Sequence, residues 1–145
     1  MSLERAEGAS LDRVEALLTA NGLPHGDIRT APAEFFIARS NSDPGVVGVG
    51  GVEQYGADGL LRSIAVAEPY RGKGYGTALC AELERYARGS GVERLYLLTT
   101  TAAAFFRQRG YETVPRSDAP ASVRSTTEFA ELCPASATCM RRDLR

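Results

Sequence analysis

A six-residue glycine-rich segment at positions 71–76 constrains the fold of this chain more than any other feature of its sequence. It follows a strand-like stretch at residues 60–67 and precedes an amphipathic helical pattern at residues 77–88. Glycines let backbone N–H groups approach a phosphate closely, and a helix start adds unpaired N–H groups and the positive end of its dipole. We therefore predict a pyrophosphate-binding loop made of Arg71, Gly72, Lys73, Gly74, Tyr75 and Gly76.

Two other phosphate-binding motifs do not fit this segment. The dinucleotide fingerprint G-x-G-x-x-G fails because Thr77 stands at the third glycine position counted from Gly72, and Leu79 stands there counted from Gly74. The Walker loop fails because the chain lacks Gly-Lys-Ser or Gly-Lys-Thr. An alternative stays open, in which the glycines bind no phosphate and only form a turn between strand and helix.

Hydrophobic periodicity and the regular spacing of Gly and Pro predict a mixed α/β chain. We expect helices at residues 11–20, 77–88 and 101–109. We expect strands at residues 34–39, 46–55, 60–67, 93–99, 111–114 and 137–143. In the tail, the spacing of Ser125 and Glu128 is that of a capping box at a helix start.

The strands at residues 46–55 and 60–67 are predicted to form a β-hairpin, because a turn-rich sequence separates them. In the expected register Tyr55 faces Leu60. The same register places Glu53 opposite Arg62, so that the two side chains form a cross-strand pair.

Composition sets broad limits on the function. The 145 residues, 43% of them hydrophobic, suffice for one core, so we expect a single domain over residues 1–145. A net charge of −1 gives no electrostatic basis for binding nucleic acid. The chain lacks an apolar stretch of the roughly 18–20 residues that a membrane helix needs, and its N-terminus lacks a signal-peptide core. We expect a cytoplasmic protein that binds neither nucleic acid nor membranes.

The cysteines and the single histidine do not have the spacing of a zinc site, so we expect neither a metal nor a disulfide framework. Cys133 and Cys139 would share a face if the tail were one continuous strand, which leaves a thiol site open beside simple packing. His25 and Asp27 follow the first helix and belong either to a loop or to an acceptor pocket.

Ile64-Ala65-Val66, followed by Pro69, Tyr70 and the glycine-rich segment, resembles the acetyl-CoA-binding motif of the GNAT acetyltransferase superfamily. The resemblance extends over nearly the whole chain. It implies the GNAT fold, which is a single α/β domain with a central, mostly antiparallel mixed sheet flanked by helices. It also implies that acetyl-CoA is the cosubstrate of an N-acetyltransferase.

The resemblance assigns cofactor contacts to particular positions. Backbone groups of Ile64, Ala65 and Val66 would bind the pantetheine arm, at a splay between the strands at residues 60–67 and 93–99. Backbone amides from Gly72 to Thr77 would hold the pyrophosphate. Two further residues would border the cofactor thiol, Thr99 and Phe106.

Within the superfamily, several segments resemble the ArsN arsenic-resistance acetyltransferases, namely Leu97-Leu98-Thr99-Thr100, Phe105-Phe106, Arg109-Gly110-Tyr111 and residues 132–140. A more distant likeness is to the acetyltransferase domain of N-acetylglutamate synthase. These likenesses imply direct acetylation of a small glutamate analogue of the phosphinothricin or arsinothricin type, and they allow a homodimer. Alternatives are an acetyltransferase for another amine, a non-catalytic acetyl-CoA-binding module, and a structural protein.

The expected reaction needs a proton acceptor, because a protonated amine cannot attack a thioester. The superfamily often places its base near the start of the strand that precedes the loop, where this chain has Leu60. We predict that Glu53, on the partner strand, is the base. The alternative is that Glu53 only forms an ion pair with Arg62.

Two further residues are predicted to act on the substrates. Arg62 would clamp a carboxylate, phosphinate or arsonate of the acceptor, since its planar guanidinium binds two oxygens. Many superfamily members protonate the departing thiolate with a tyrosine at the position of Phe106. Solvent or another tyrosine, such as Tyr55, Tyr96 or Tyr111, can replace that acid. Tyr55 is the candidate among them because it shares a face with Glu53.

Overall fold

The computed structural model describes residues 1–23, 25–41, 45–133 and 136–144, which build one seven-stranded sheet flanked by helices. The strands are β1 (Ser2–Arg5), β2 (Ala33–Arg39), β3 (Val46–Tyr55), β4 (Asp58–Val66), β5 (Arg94–Thr99), β6 (Glu112–Thr113) and β7 (Thr138–Asp143). The helices are α1 (Ser10–Ala20), α2 (Tyr75–Gly89), α3 (Ala103–Gln108) and α4 (Ala121–Arg124). Short 3₁₀ turns lie at Glu68–Tyr70 and Arg116–Asp118, and a π-helical turn lies at Glu128–Leu132.

The sheet has the strand order β1-β2-β3-β4-β5-β7-β6. Neighbouring strands are antiparallel except for β4 and β5, which are parallel because α2 carries the chain from the end of one to the start of the other. The expectation of a mixed, mostly antiparallel sheet flanked by helices is therefore confirmed.

The parallel pair is short, and this creates an opening in the sheet. Strands β4 and β5 pair only from Asp58 opposite Arg94 to Leu60 opposite Tyr96. Beyond Leu60 the two strands diverge, so that the second half of β4 and the end of β5 have no ladder between them. The opening lies at the place where the family resemblance implies a splay.

A β-bulge in β4 lies next to this opening. Between the pairs Val49–Ala65 and Gly51–Arg62, β3 advances by two residues while β4 advances by three. Ser63, in the bulge, has a φ of 60°, a left-handed conformation that is uncommon for a residue with a side chain. Bulges twist a strand and redirect its side chains, and this one separates Arg62 from the cofactor-binding stretch predicted at Ile64.

Helices cover both faces of the sheet because the central strands are apolar on both sides. On β2, Phe35 and Ile37 pack with Val14 and Leu18 of α1 in one core cluster. Phe36 and Ala38, which alternate with them, pack in the opposite cluster with the apolar face of α2. Each fully buried leucine in these clusters contributes about 1.5–3 kcal/mol of hydrophobic free energy.

The hairpin prediction is correct in its strands and wrong in its register. Tyr55 faces Asp58 rather than Leu60, and Glu53 faces Leu60. The loop between the strands is the two-residue Gly56-Ala57, shorter than predicted, and a shorter loop moves every pair by two positions. The shift keeps each side chain on its predicted face, because two positions are one full period of a strand.

Other differences from the sequence predictions are local. Strand β1 was not predicted, since its four residues are too polar to give an alternating pattern, with only Leu3 apolar. Helix α2 begins at Tyr75, two residues earlier than expected, because Gly74 at φ 84° serves as its N-cap. The prediction of a capping box is wrong, because the Ser125 hydroxyl donates to Ser122 O and the Glu128 carboxylate lies near Arg62. Over the described ranges, none of the helices combines the length and apolar character needed to cross a membrane.

Candidate functional site

The opening between β4 and β5 holds a cavity of about 870 Å³. Strand β4 forms one wall from Leu61 to Val66, and the end of β5 with the following turn forms the other. Six of the predicted cofactor-binding residues line this cavity: Ile64, Ala65, Val66, Gly76, Thr99 and Phe106. Its volume lies within the range of small-molecule and cofactor sites.

The glycine-rich segment forms an exposed loop at the mouth of the cavity. Gly72 and Gly74 have φ values of 74° and 84°, a region that only glycine adopts without strain. The first hydrogen bond of α2 runs from Ala78 N to Gly74 O, so the N–H groups of Tyr75, Gly76 and Thr77 have no partner within the helix. These N–H groups, at the positive end of the helix dipole, form an anion-binding surface.

The two basic side chains of the loop lie at its exposed surface, and Arg71 joins the loop to the end of α1. Its Nε donates to Val66 O at 3.1 Å, and its Nη2 donates to Asn21 Oδ1. Lys73 is also exposed. Of the predicted loop residues, only Gly76 belongs to the cavity wall itself.

The missing side chain of Gly76 bears on whether a cofactor fits this site. A Cβ built at this position would lie 3.7 Å from Val66 Cγ2 and from Phe105 Cζ, so a side chain here would fill space between α2, β4 and α3. A glycine therefore leaves room for a ligand against the start of α2. An apolar cavity wall for a pantetheine arm, continuous with an N–H surface for a pyrophosphate, fits CoA.

Arg62 lies at the inner end of the cavity and is fully buried. Its Nη1 and Nη2 donate to the two carboxylate oxygens of Asp27 at 2.6 and 2.5 Å, and Nη1 also donates to Glu53 Oε2 at 2.9 Å. Its Nε donates to Ser63 Oγ at 3.0 Å. The guanidinium is thus committed to protein groups, whose carboxylates balance its charge.

The structure brings Glu53 and Tyr55 together with Arg62, but not at the wall of the large cavity. Tyr55 donates its hydroxyl to Glu53 Oε1, and both residues line a separate hollow of about 170 Å³ together with Asp27. Burial, and next the hydrogen bond to Glu53, raise the pKa of Tyr55. Both oxygens of Glu53 accept hydrogen bonds, and neither the expected base Glu53 nor the expected acid Tyr55 lines the large cavity.

A carboxylate that the sequence analysis treated only as a helix cap does line the cavity. Glu128 is 4% exposed, and its Oε1 lies 3.8 Å from Arg62 Nε. Its Oε2 is buried without a hydrogen-bond partner among the described residues. Burial raises the pKa of Glu128 from 4.5 to about 7. No local pattern could have revealed this residue, because its position depends on how the tail packs against β4.

The remaining candidates have different surroundings. Cys133 lines the cavity and burial raises its pKa to about 11, whereas Cys139 is buried on β7. The two cysteines do not share a strand, since β7 begins only at Thr138. His25 lies at the cavity rim with Nδ1 3.0 Å from Leu23 O. Among the described residues no cluster of His, Cys, Asp or Glu has an arrangement that could hold a metal ion.

Comparison with known proteins identifies the family of this chain. A model described as "Acetyltransferase (GNAT) family" matches residues 7–111, from before α1 to the end of α3 and beyond. The chain belongs to the GNAT acetyltransferase family. The predicted resemblance to this family and the predicted fold are confirmed.

Relatives in sequence match a limited part of this GNAT protein. The amino-acid acetyltransferase of Ectopseudomonas mendocina is 44% identical over 54 residues, which are 37% of this chain and 12% of that enzyme. The amino-acid acetyltransferase of Pseudomonas aeruginosa (strain PAO1) is 38% identical over 71 residues, 49% of this chain and 16% of that enzyme. Mouse N-alpha-acetyltransferase 80 is 40% identical over 53 residues, 37% of this chain and 17% of that protein. The matches thus span less than a fifth of each relative.

Solved structures confirm the fold over the full length. N-acetylglutamate synthase from Neisseria gonorrhoeae, complexed with coenzyme A and N-acetyl-glutamate, superposes with a TM-score of 0.78 at 22% identity, over 99% of this chain and 35% of that one. Rv2747 from Mycobacterium tuberculosis, in complex with CoA, superposes with a TM-score of 0.82 at 22% identity, over 100% of both chains. The distant likeness to N-acetylglutamate synthase is therefore confirmed, and the likeness to the ArsN enzymes stays a prediction.

Proposed function

We propose that this GNAT protein transfers the acetyl group of acetyl-CoA directly to the primary amino group of a small, amino-acid-like molecule. The observation that carries the proposal is the cavity between β4 and β5, which opens onto the N–H groups at the start of α2. Such a site matches a ligand with an apolar arm and a pyrophosphate.

In this proposal each part of the site has one task toward the cosubstrate. Backbone groups of Ile64, Ala65 and Val66 bind the pantetheine arm. The amides from Gly72 to Thr77, including those of Gly74 and Tyr75, hold the pyrophosphate, with Arg71 and Lys73 supplying positive charge at the exposed side. Thr99 and Phe106 border the thioester end. Acetyl-CoA supplies a thioester whose thiol leaving group, with an ordinary pKa near 8.5, departs without a dedicated acid.

For the acceptor, we propose a glutamate analogue of the phosphinothricin or arsinothricin type. Support comes from relatives that are named amino-acid acetyltransferases and from the N-acetyl-glutamate in the Neisseria structure. The predicted clamp needs revision, however, because Arg62 is already bound to Asp27 and Glu53. We therefore propose that Arg62 does not itself bind the acceptor. Instead it positions the carboxylates that surround it, and Glu53 and Tyr55 hold Arg62 in place.

A second candidate acceptor is a cationic amine without an anionic side chain. The observation in its favour is the charge at the inner end of the cavity, where, among the described residues, the three carboxylates of Asp27, Glu53 and Glu128 surround Arg62. An excess of negative charge attracts ammonium groups and disfavours additional carboxylates. Lysine, a polyamine or an aminoglycoside would satisfy this condition.

The test is a thiol-release assay with acetyl-CoA and a panel of phosphinothricin, glutamate, aspartate, lysine, spermidine and an aminoglycoside. Turnover confined to the glutamate-like amines is the expected result. Turnover with cationic amines alone would support the second candidate and contradict the glutamate analogue. A protein that binds CoA in a thermal-shift measurement yet acetylates none of these amines would contradict the proposed reaction and favour a non-catalytic acetyl-CoA-binding module.

A further inference from the structure

We propose that Glu128 is the catalytic carboxylate that receives the acceptor's ammonium group and takes its proton before acetyl transfer. The proposal rests on the proposed function, since it assigns a residue to that reaction. Leu60 occupies the expected base position and both oxygens of the predicted Glu53 are bound, whereas Glu128 lines the cavity and has one carboxylate oxygen without a hydrogen-bond partner among the described residues.

The geometry separates Glu128 from the other two carboxylates of the cluster. Both oxygens of Asp27 accept hydrogen bonds from Arg62, and both oxygens of Glu53 are bound, one by Arg62 and one by Tyr55. Glu128 lines the cavity, and its Oε2 is buried without a hydrogen-bond partner among the described residues. A buried acceptor atom without a partner carries a desolvation cost that a bound ammonium group would remove.

The backbone around Glu128 holds the side chain in place. Cys133 N donates to Glu128 O at 3.0 Å, which closes the π-helical turn. Phe129 is buried in the cluster beneath the turn, and its N donates to the Thr126 hydroxyl at 3.3 Å. Single π-helical turns occur frequently at functional sites, because they direct a side chain that a regular helix would place elsewhere.

The charges that face Glu128 suit a proton acceptor at neutral pH. Its pKa is raised to about 7, chiefly by burial, with Arg62 lowering it and the carboxylates of Glu53 and Asp27 raising it. Cys133, the other titratable group near it, has a pKa raised to about 11 and stays protonated. A base whose pKa lies near the working pH is deprotonated in a large fraction of the molecules and is still basic enough to take a proton.

The ammonium gives one proton to Glu128 Oε2, and the nitrogen uses the freed electron pair to bond to the acetyl carbonyl carbon. As this bond forms, the carbon–sulfur bond breaks with its electron pair on sulfur. The second proton of the nitrogen reaches that sulfur, through water or directly, and Glu128 then releases its proton to solvent.

The experiment compares wild-type protein with Glu128→Gln, using as acceptor the amine with the highest turnover in the panel. The matched control is Glu112→Gln, since Glu112 is an exposed glutamate on β6, outside the cavity. For wild type we expect kcat/KM to rise with pH and to level off above an apparent pKa near 7. For Glu128→Gln we expect a loss of about 100-fold or more at pH 7. The rate of this variant should continue to rise about tenfold per pH unit, because only spontaneously deprotonated amine reacts.

A second measurement does not depend on activity. In protein labelled with ¹³C at the glutamate carboxyl carbons, we expect one resonance to titrate near pH 7 in wild type and in Glu112→Gln, and to be missing in Glu128→Gln. CoA should raise the Tm of all three proteins equally, which shows that the variants are folded and bind the cosubstrate.

Two outcomes would contradict the inference, and they are distinguishable. If wild type is active and Glu128→Gln retains its rate and pH profile, Glu128 is not the proton acceptor and the proposed function stands. If wild type acetylates none of the amines, the proposed function fails and the assignment of Glu128 fails with it.

Discussion

Arg62 organises the inner end of the cavity from a single position on β4. It is fully buried and holds Asp27, which lies 35 positions away in the sequence, and Glu53 of the neighbouring strand. Burial of three charged groups costs several kcal/mol of desolvation for each ion, and their mutual attraction offsets this cost only while the geometry is intact. The arginine therefore supports the site and, through it, the folded state.

Substitution Arg62→Met should lower the free energy of unfolding by about 3–5 kcal/mol, because it leaves Asp27 and Glu53 buried without a counter-charge. The matched control is Arg94→Met, which breaks a partly exposed ion pair with Asp58 and should cost about 1 kcal/mol or less. Urea denaturation at pH 7.5 measures both. Equal losses in the two variants would contradict a central structural role for Arg62.

Glu128 should make stability depend on pH in a direction opposite to that of most carboxylates. Its folded-state pKa of about 7 lies above the ordinary 4.5, so between these values the folded protein holds a proton that the unfolded chain has lost. The free energy of unfolding should therefore fall as pH rises from 4.5 to 7, by about 3 kcal/mol at most.

Denaturation of wild type and Glu128→Gln at pH 5 and pH 8 checks this dependence. We expect the variant to gain stability relative to wild type at the higher pH, since glutamine does not titrate. A difference between the two proteins that is the same at both pH values would show that Glu128 titrates normally in the folded state.

At the scale of elements, α2 connects the proposed phosphate-binding loop to the core. The N–H groups at its start have no partner within the helix, and its apolar face packs against the sheet through Leu79, Leu83 and Ala87. The short β4–β5 ladder ends before the stretch of β4 that we propose for the cosubstrate, and this leaves the cavity beside the helix start. The proposed cofactor binding and the core packing thus use different parts of the same helix.

Substitution Gly76→Ala separates these two roles. The new methyl group would meet its nearest neighbours at 3.7 Å, so the free energy of unfolding should stay equal or rise by up to about 1 kcal/mol through better helix propensity. The same methyl group would occupy space at the cavity wall, and we expect the Kd for CoA to increase about tenfold, or about 1.4 kcal/mol.

The control for this substitution is Gly89→Ala at the other end of α2, where a Cβ meets nothing within 4 Å. It should stabilise the helix to a similar degree and leave CoA affinity unchanged. Isothermal titration calorimetry and denaturation provide the two readings. Unchanged CoA affinity in Gly76→Ala would contradict the assignment of the α2 start to the cosubstrate.

For the whole molecule, the cavity predicts that CoA stabilises the folded state by mass action. Saturation at 100 times the Kd should add about 2.7 kcal/mol, which for a domain of this size corresponds to a rise in Tm of about 5–10 °C. The Tm should continue to rise with the logarithm of CoA concentration. Pantetheine and ADP serve as controls, each with a smaller shift than CoA, and a constant Tm in the presence of millimolar CoA would contradict the proposed site.

Most of the fold was predictable because its signals are local. The strands β2, β3, β4 and β5 and the helices α1 and α2 agree with the sequence predictions to within a few residues. Alternating apolar residues specify a strand and a period of 3.6 specifies a helix, whatever lies elsewhere in the chain. The hairpin register was not predictable, because the choice between a two-residue and a four-residue loop depends on pairing along both strands.

The sequence by itself determined the family, and it predicted the loop and the β4 stretch that we propose for the cosubstrate, since each depends on neighbouring residues whose backbone conformation glycine spacing dictates. Only the tertiary structure decided which carboxylate faces the cavity. Arg62 meets Asp27, Glu53 and Glu128 from three distant parts of the chain, and their distances follow from the sheet order and the packing of the tail. Charges that interact across such separations leave no periodic pattern in the sequence, so the charged inner end of the cavity becomes apparent only once the chain is folded.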